Sequence, residues 1–374
     1  MGPRTLKGFT LAAALAAASC GGKAGDPAVA PVAEEKVVHV YNWIDFIGKT
    51  TISDFEAATG IRVVYDTFDA NETLETKLLT GHSGYDVVFP SSTYMGRVAD
   101  AGALLKLDKA RLPAYSSLDP EILRQIALND PGNEHAIAYT WGTTGIAWVP
   151  DLVRKALGTA TIDSWSAVFD PAVAQKLARC GITMLDSRDD VFEAAELYLG
   201  TDPGNEDLQE LAAAEAMLKR VRPYVRNFDS GDYPGLLANG EICVAIAWNG
   251  VKRIARTRQD GSSSYQDIEY VQPREGAPAY FDSVAIPVDA PHPDNAYAFL
   301  NFLMRPEVIA GVTNTVGYAN ANPASLPFVD AELKGDPAVY PPPEVRARLH
   351  TTRKHSQDYA RELNRAWTRV RTGQ

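Results

Sequence analysis

Along the first hundred residues the apolar positions switch repeatedly between a period of two and a period near 3.6. Val37 to Tyr41 is an apolar, β-branched run that reads as a strand. Thr51–Thr59 has helical spacing and is stopped by Gly60, and Ile61–Phe68 is strand-like again. The pattern then predicts a helix over Glu72–Thr80, a strand over Gly84–Pro90 and a helix over Met95–Ala101. This β-α-β-α-β order predicts a parallel sheet with helices packed on both faces. From His135 to Val149 the chain is extended and aromatic, with glycines at 142 and 145, and reads as a crossing between two lobes. A second α/β block follows, with strands predicted at Gly181–Leu185 and Ile242–Trp248 and helices at Val191–Leu199 and Leu208–Val221. Further strands are predicted at Ile268–Val271 and Tyr280–Ile286, amphipathic helices at Pro293–Met304 and Pro306–Thr313, and a helical, basic tail from Pro342.

In open α/β sheets ligands bind at the carboxyl edge of the strands. Several predicted strand ends carry an aromatic, a carboxylate or both: Trp43 with Asp45, Asp69, Ser91-Ser92, Asp186 to Asp190, Trp248, and Tyr280-Phe281-Asp282. Tyr318-Ala319-Asn320 lies in a polar loop after the Pro306 helix. A ring face attracts a cation and a carboxylate neutralises it, so this set suits a small positive molecule whose methylenes the rings would bury. Each residue alone also has a plain structural reading, such as a core Trp43 beside a helix-capping Asp45.

Composition changes the picture in three ways. First, residues 1–19 read as a secretory signal, with Arg4 and Lys7, an apolar run from Phe9 to Ala18, and small residues before Cys20. That run is about half of the ~20 residues a membrane span needs. Cysteine directly after the small residues is the bacterial lipoprotein pattern, making Cys20 a lipidated first residue and Gly21 to Glu35 a flexible tether. Second, losing residues 1–19 removes two positive charges, so the net charge moves from −11 to −13, which disfavours nucleic acid and suits a cationic ligand. Third, Cys180 and Cys243 are the cysteines left after Cys20. They can pair, closing a loop worth about 4 kcal/mol in the chain-entropy model, or stand as two buried thiols.

Enzyme signatures are missing. The histidines at 39, 82, 135, 292, 350 and 355 show no metal-ligand spacing, Gly81-His82-Ser83-Gly84 lacks the leading glycine of a nucleophile elbow, and no phosphate loop is present. No catalytic residue, metal or cofactor is expected.

The signatures Tyr41-Asn42-Trp43, Thr59-Gly60-Ile61-Arg62-Val63-Val64-Tyr65-Asp66 and Tyr85-Asp86-Val87-Val88-Phe89-Pro90-Ser91 resemble those of polyamine-binding proteins of bacterial ATP-driven importers, above all the putrescine-binding type. So do Thr143-Thr144-Gly145-Ile146, Ile242-Cys243-Val244-Ala245-Ile246 and Tyr318-Ala319-Asn320-Ala321-Asn322. The resemblance implies a type II periplasmic-binding-protein fold: two α/β lobes, each a mixed sheet flanked by helices, closing on a hinge. Lobe 1 is expected at 36–140 and 252–308, and lobe 2 at 141–251 and 309–374. Trp43 and Trp248 would wall the ligand, with Tyr280 where the family has an aromatic. Asp45, Asp190 and Asp282 would bind ammonium groups, while Ser91, Ser230 and Tyr318 would add hydrogen bonds. The family also carries a disulfide at positions matching Cys180 and Cys243.

Three departures bear on the ligand. Ile44 stands where putrescine binders carry a small hydroxyl, Phe46 replaces a tyrosine, and Val251 falls where they have a further aspartate. Losing one charge-assisted bond costs about 1.5–3 kcal/mol unless Asp189, Asp229 or Asp232 compensates. The expectation is a monomeric, surface-tethered periplasmic lipoprotein that captures a polyamine and hands it to ABC permease subunits, touching the membrane only through its lipid. A sensor of cationic amines on the same fold, or an exported enzyme, are the alternatives.

Overall fold

The computed structural model describes Gly2, residues 35–257 and residues 266–374. The signal segment, Cys20 and nearly all of the tether lie outside the described residues. No described helix is long and apolar enough to cross a membrane.

The opening α/β pattern folds as its periodicity predicts. Strands β1 (Val37–Trp43), β2 (Arg62–Phe68) and β3 (Val87–Val88) are parallel neighbours, linked by helices α1 (Thr51–Thr59) and α2 (Asn71–Thr80) and followed by α3 (Ser92–Asp100). Gly60 ends α1 at φ 69°, a left-handed cap that glycine adopts without a Cβ clash, and its N–H reaches the Glu56 carbonyl. The β3 strand covers only two residues of the predicted Gly84–Pro90 run, and α3 begins three residues before the predicted Met95, so Ser91 stands at its N-cap.

Strand β4 (Ala136–Trp148) is buried along its whole length and carries the chain from one core to the other. Its first part pairs antiparallel with β9 (Ala277–Ala285), and from Thr144 onward it pairs with β7 (Val244–Trp248) and β8 (Glu269–Val271). Parallel strands β5 (Ile182–Met184) and β6 (Asn227–Phe228) extend the sheet beyond β7. The resulting order is β2-β1-β3-β9-β4-β7-β5-β6, a mixed sheet. β10 (Ala319–Asn320) pairs with β4 and β11 (Leu349–Thr351) with β9. Residues 318–320 are therefore partly sheet rather than loop. The tail from Pro342 is not one helix: a single turn and β11 come first, and the long helix spans Gln357–Thr372.

Two apolar cores sit on either side of the change in β4. The first gathers Val38, Phe55, Val88, Tyr139, Phe281 and Phe299; the second gathers Ile146, Trp165, Phe192, Ile246 and Trp367. Core membership divides the chain elsewhere than the expected boundaries. Ala255, Ile268 and Tyr270 pack in the second core, whereas Ile309, Val312, Tyr318 and Val339 pack in the first. The helix Pro306–Val316 follows Pro293–Leu303 after a short turn, and its buried residues Ile309, Ala310 and Val312 complete the first core. Cys180 and Cys243 are joined in a disulfide at the edge of the second core, with Cα atoms 5.5 Å apart.

Candidate functional site

Asp282 lies in the middle of β9, on the same face as Tyr280, not at a strand opening. Its side chain is only 4% exposed. One oxygen accepts a 2.9 Å bond from Ser91 Oγ at the α3 N-cap, and the other a 3.3 Å bond from Thr140 Oγ1 on β4. Ser91 is held in turn by Asn71, whose Oδ1 accepts from the Ser91 amide at 3.1 Å. Burial pushes the Asp282 carboxyl up to about 6, against the two hydroxyls that favour its charged form.

Asp190 sits in the first turn of the helix Arg188–Leu199, where the predicted start at Val191 would have left it in a loop. It accepts hydrogen bonds from Ser187 Oγ at 2.6 Å, from Thr144 Oγ1 and, at 3.4 Å, from Trp248 Nε1. Burial raises its pKa, the Ser187 and Thr144 hydroxyls oppose the rise, and the neighbouring Asp189 charge adds to it. Among the described residues, neither Asp190 nor Asp282 has a cationic side chain as partner.

Rings connect the two carboxylates. Trp248 meets Tyr280 edge-on at 6.4 Å between centroids, and Tyr280 meets Tyr318 at 6.2 Å. Trp248 packs against both cores, while Tyr280 and Tyr318 belong with the first. The Tyr318 hydroxyl pKa is raised first by burial, and the charges of Asp282 and Asp190 add to the rise. Trp43 closes β1 with its Nε1 donating to the Phe89 carbonyl at 2.8 Å and its ring against Phe68 at 4.6 Å. Phe89 is two residues before Ser91, which sets Trp43 beside the Ser91–Asp282 pair.

Two expected residues are placed differently. Asp45 is exposed in the turn after β1 at φ 56° and joins none of these hydrogen bonds. Its charge reaches Tyr65, whose pKa is raised chiefly by burial and less by Asp45. Ser230 follows β6, and its buried hydroxyl has no hydrogen-bond partner among the described residues. Of the three possible compensators for Val251, Asp232 is exposed at a helix N-cap and two are engaged. Asp189 is clamped by Arg188 at 2.6 Å, and Asp229 accepts the amides of Gly231, Asp232 and Tyr233. Val251 itself is fully buried in the second core.

Several contributors were not among the expected site residues. Thr140 and Thr144 lie on one face of β4, about 13 Å apart along the strand, and each binds one carboxylate. Gly142 lies between them, opposite Tyr280 in register, and a methyl there would overlap the Asn249 Oδ1 and the Tyr280 hydroxyl. Asn249 receives the Thr143 amide at 3.1 Å and the Tyr280 hydroxyl at 3.3 Å, and donates to the Ala338 carbonyl at 2.9 Å. A threonine or glycine inside a strand run looks like strand propensity or a bulge, so only the fold exposes these roles. A separate cavity of about 420 Å³ opens among Trp141, Phe281, Arg346 and Glu121. Alternation along β9 turns Phe281 away from Tyr280 and Asp282, so this cavity faces the opposite side of the strand.

Residues 50–341 match the family model described as bacterial extracellular solute-binding protein. The chain is 44% identical to the putrescine-binding periplasmic protein SpuD of Pseudomonas aeruginosa over 99% of this chain and 98% of that one. It is 43% identical to the putrescine-binding periplasmic protein PotF of Escherichia coli, covering 91% and 93% of the two chains. Among solved structures, the spermidine/putrescine ABC transporter substrate-binding protein PotD of Streptococcus pneumoniae superposes with a TM-score of 0.78 at 25% identity, over 91% of this chain and 99% of that one.

Proposed function

The chain belongs to the bacterial extracellular solute-binding proteins, and from that premise we propose that it captures a polyamine, putrescine-like or spermidine-like, in the periplasm for import through an ABC permease. It is a binding protein and not an enzyme. One observation carries the polyamine reading: Asp282 is buried and Asp190 half-buried, the burial raises both pKa values, no described cationic side chain is bonded to either, and a run of rings lies between them. A buried carboxylate without a positive partner is costly, and an ammonium group arriving from solvent removes that cost. Asp282 hangs from the first core and Asp190 from the second, so a ligand with a charge at each end binds the closed form better and shifts the population toward it. Trp43, Ser91, Trp248, Tyr280 and Tyr318 complete this reading of the site, with Ser230 a free hydroxyl for the ligand. Asp45 would act at the rim, from the turn after β1. The two cores are the lobes that close, and the chain works as a monomer anchored by lipid at Cys20.

Calorimetry with putrescine, spermidine, agmatine and cadaverine tests the ligand class. We expect saturable binding of at least one; no heat with any of them overturns the polyamine reading. Small-angle scattering tests closure, and an unchanged radius with saturating ligand refutes it.

A further inference from the structure

Three polar residues far apart in sequence meet at the end of the first lobe's sheet remote from Trp43. His39 is on β1, Asp86 immediately precedes β3, and His292 is the N-cap of the helix Pro293–Leu303. Asp86 is fully buried, and its Oδ1 accepts the His292 amide at 2.6 Å. Its Oδ2 faces three nitrogens: the His39 amide at 2.8 Å, His39 Nδ1 at 3.3 Å and His292 Nδ1 at 3.1 Å. A carboxylate oxygen has about two lone pairs to offer. The His39 amide takes one of them, and the two imidazole Nδ1 atoms, whose donor or acceptor role depends on the tautomer, crowd what remains; unprotonated, each Nδ1 offers a lone pair suited to a metal ion.

We propose that His39, Asp86 and His292 bind a divalent transition-metal ion of the zinc class. In a tetrahedral site with bonds of about 2.0–2.1 Å, neighbouring ligand atoms stand roughly 3.3 Å apart. The two Nδ1–Oδ2 separations of 3.3 and 3.1 Å match that edge, and all three ligand atoms lie within 4.8 Å of one another. Two imidazoles with one carboxylate suit zinc, nickel or copper, whereas calcium and magnesium want oxygen alone. Both backbone amides orient the carboxylate as outer-shell partners. The His39 side chain is 30% exposed, which leaves a fourth coordination position open to solvent. The ion would tie β1, the approach to β3 and the helix Pro293–Leu303 together, about 13 Å along β1 from Trp43.

Metal-stripped mature protein titrated with zinc chloride should bind one equivalent, and cobalt(II) in its place should give the visible bands of a four-coordinate site. His39→Gln and His292→Gln keep the amides that hold Asp86. Each should weaken zinc more than about tenfold and erase the cobalt spectrum, with polyamine affinity unchanged. His355→Gln, near Glu206 at 3.5 Å, should leave both signals intact. In the wild-type chain zinc should shield His39 and His292 from diethyl pyrocarbonate. Absence of stoichiometric zinc binding, retention of it in both glutamine variants, loss of it in His355→Gln, or labelling indifferent to zinc overturns the proposal.

Discussion

Replacing Asp282 with asparagine should move binding and stability in opposite directions. Asparagine keeps the shape and an oxygen for the 2.9 Å bond from Ser91 Oγ, but not the charge. Loss of one charge-assisted bond to an ammonium costs about 1.5–3 kcal/mol, roughly ten- to a hundredfold in affinity. The stability effect has the other sign. The Asp282 carboxyl titrates at about 6 when folded against 3.8 as its ordinary value, so between those pH values the folded state holds a proton that the unfolded state has lost. Stability therefore falls as pH rises through that window. Two pKa units amount to about 3 kcal/mol, a penalty fully present above pH 6. Asp282→Asn removes it, so the ligand-free variant should unfold at higher urea concentration than wild type at pH 8, with the difference vanishing near pH 4. Calorimetry and urea denaturation on the same preparations measure both quantities. An unchanged affinity, or a ligand-free variant less stable than wild type at pH 8, refutes the idea that Asp282 is an uncompensated buried charge awaiting a cation.

Affinity should decline below pH 6 by about tenfold per unit as protons compete with the ammonium for Asp282, and calorimetry across pH 5–8 would show a flat profile if that carboxylate does not bind. Gly142→Ala places a methyl on Asn249 and the Tyr280 hydroxyl, so it should cost about 1–3 kcal/mol of stability and weaken the ligand; wild-type affinity would mean Tyr280 is not a wall of the site. Breaking the disulfide with Cys180→Ser and Cys243→Ser, separated by 63 residues, should lose about 4 kcal/mol in the chain-entropy model, read by urea unfolding; a loss under about 1 kcal/mol would mean strong residual structure in the unfolded chain.

Periodicity along the chain was enough to place α1, the Leu208–Val221 helix and the alternation of strand and helix before β4, because those patterns arise between near neighbours. Residue type at predicted strand ends likewise singled out Trp43, Trp248 and Asp282, although Asp282 lies inside β9. Three-dimensional structure alone decided which of them meet. Insertion of β9 between β3 and β4 brings Asp282 to Ser91, 191 residues earlier, and the change of partner along β4 makes Thr140 and Thr144 serve one carboxylate each. The same folding leaves Asp45 outside the bonded set and gathers His39, Asp86 and His292 across separations of 47 and 206 residues. Pairing of distant strands depends on which faces can be buried together, and no local spacing encodes that outcome.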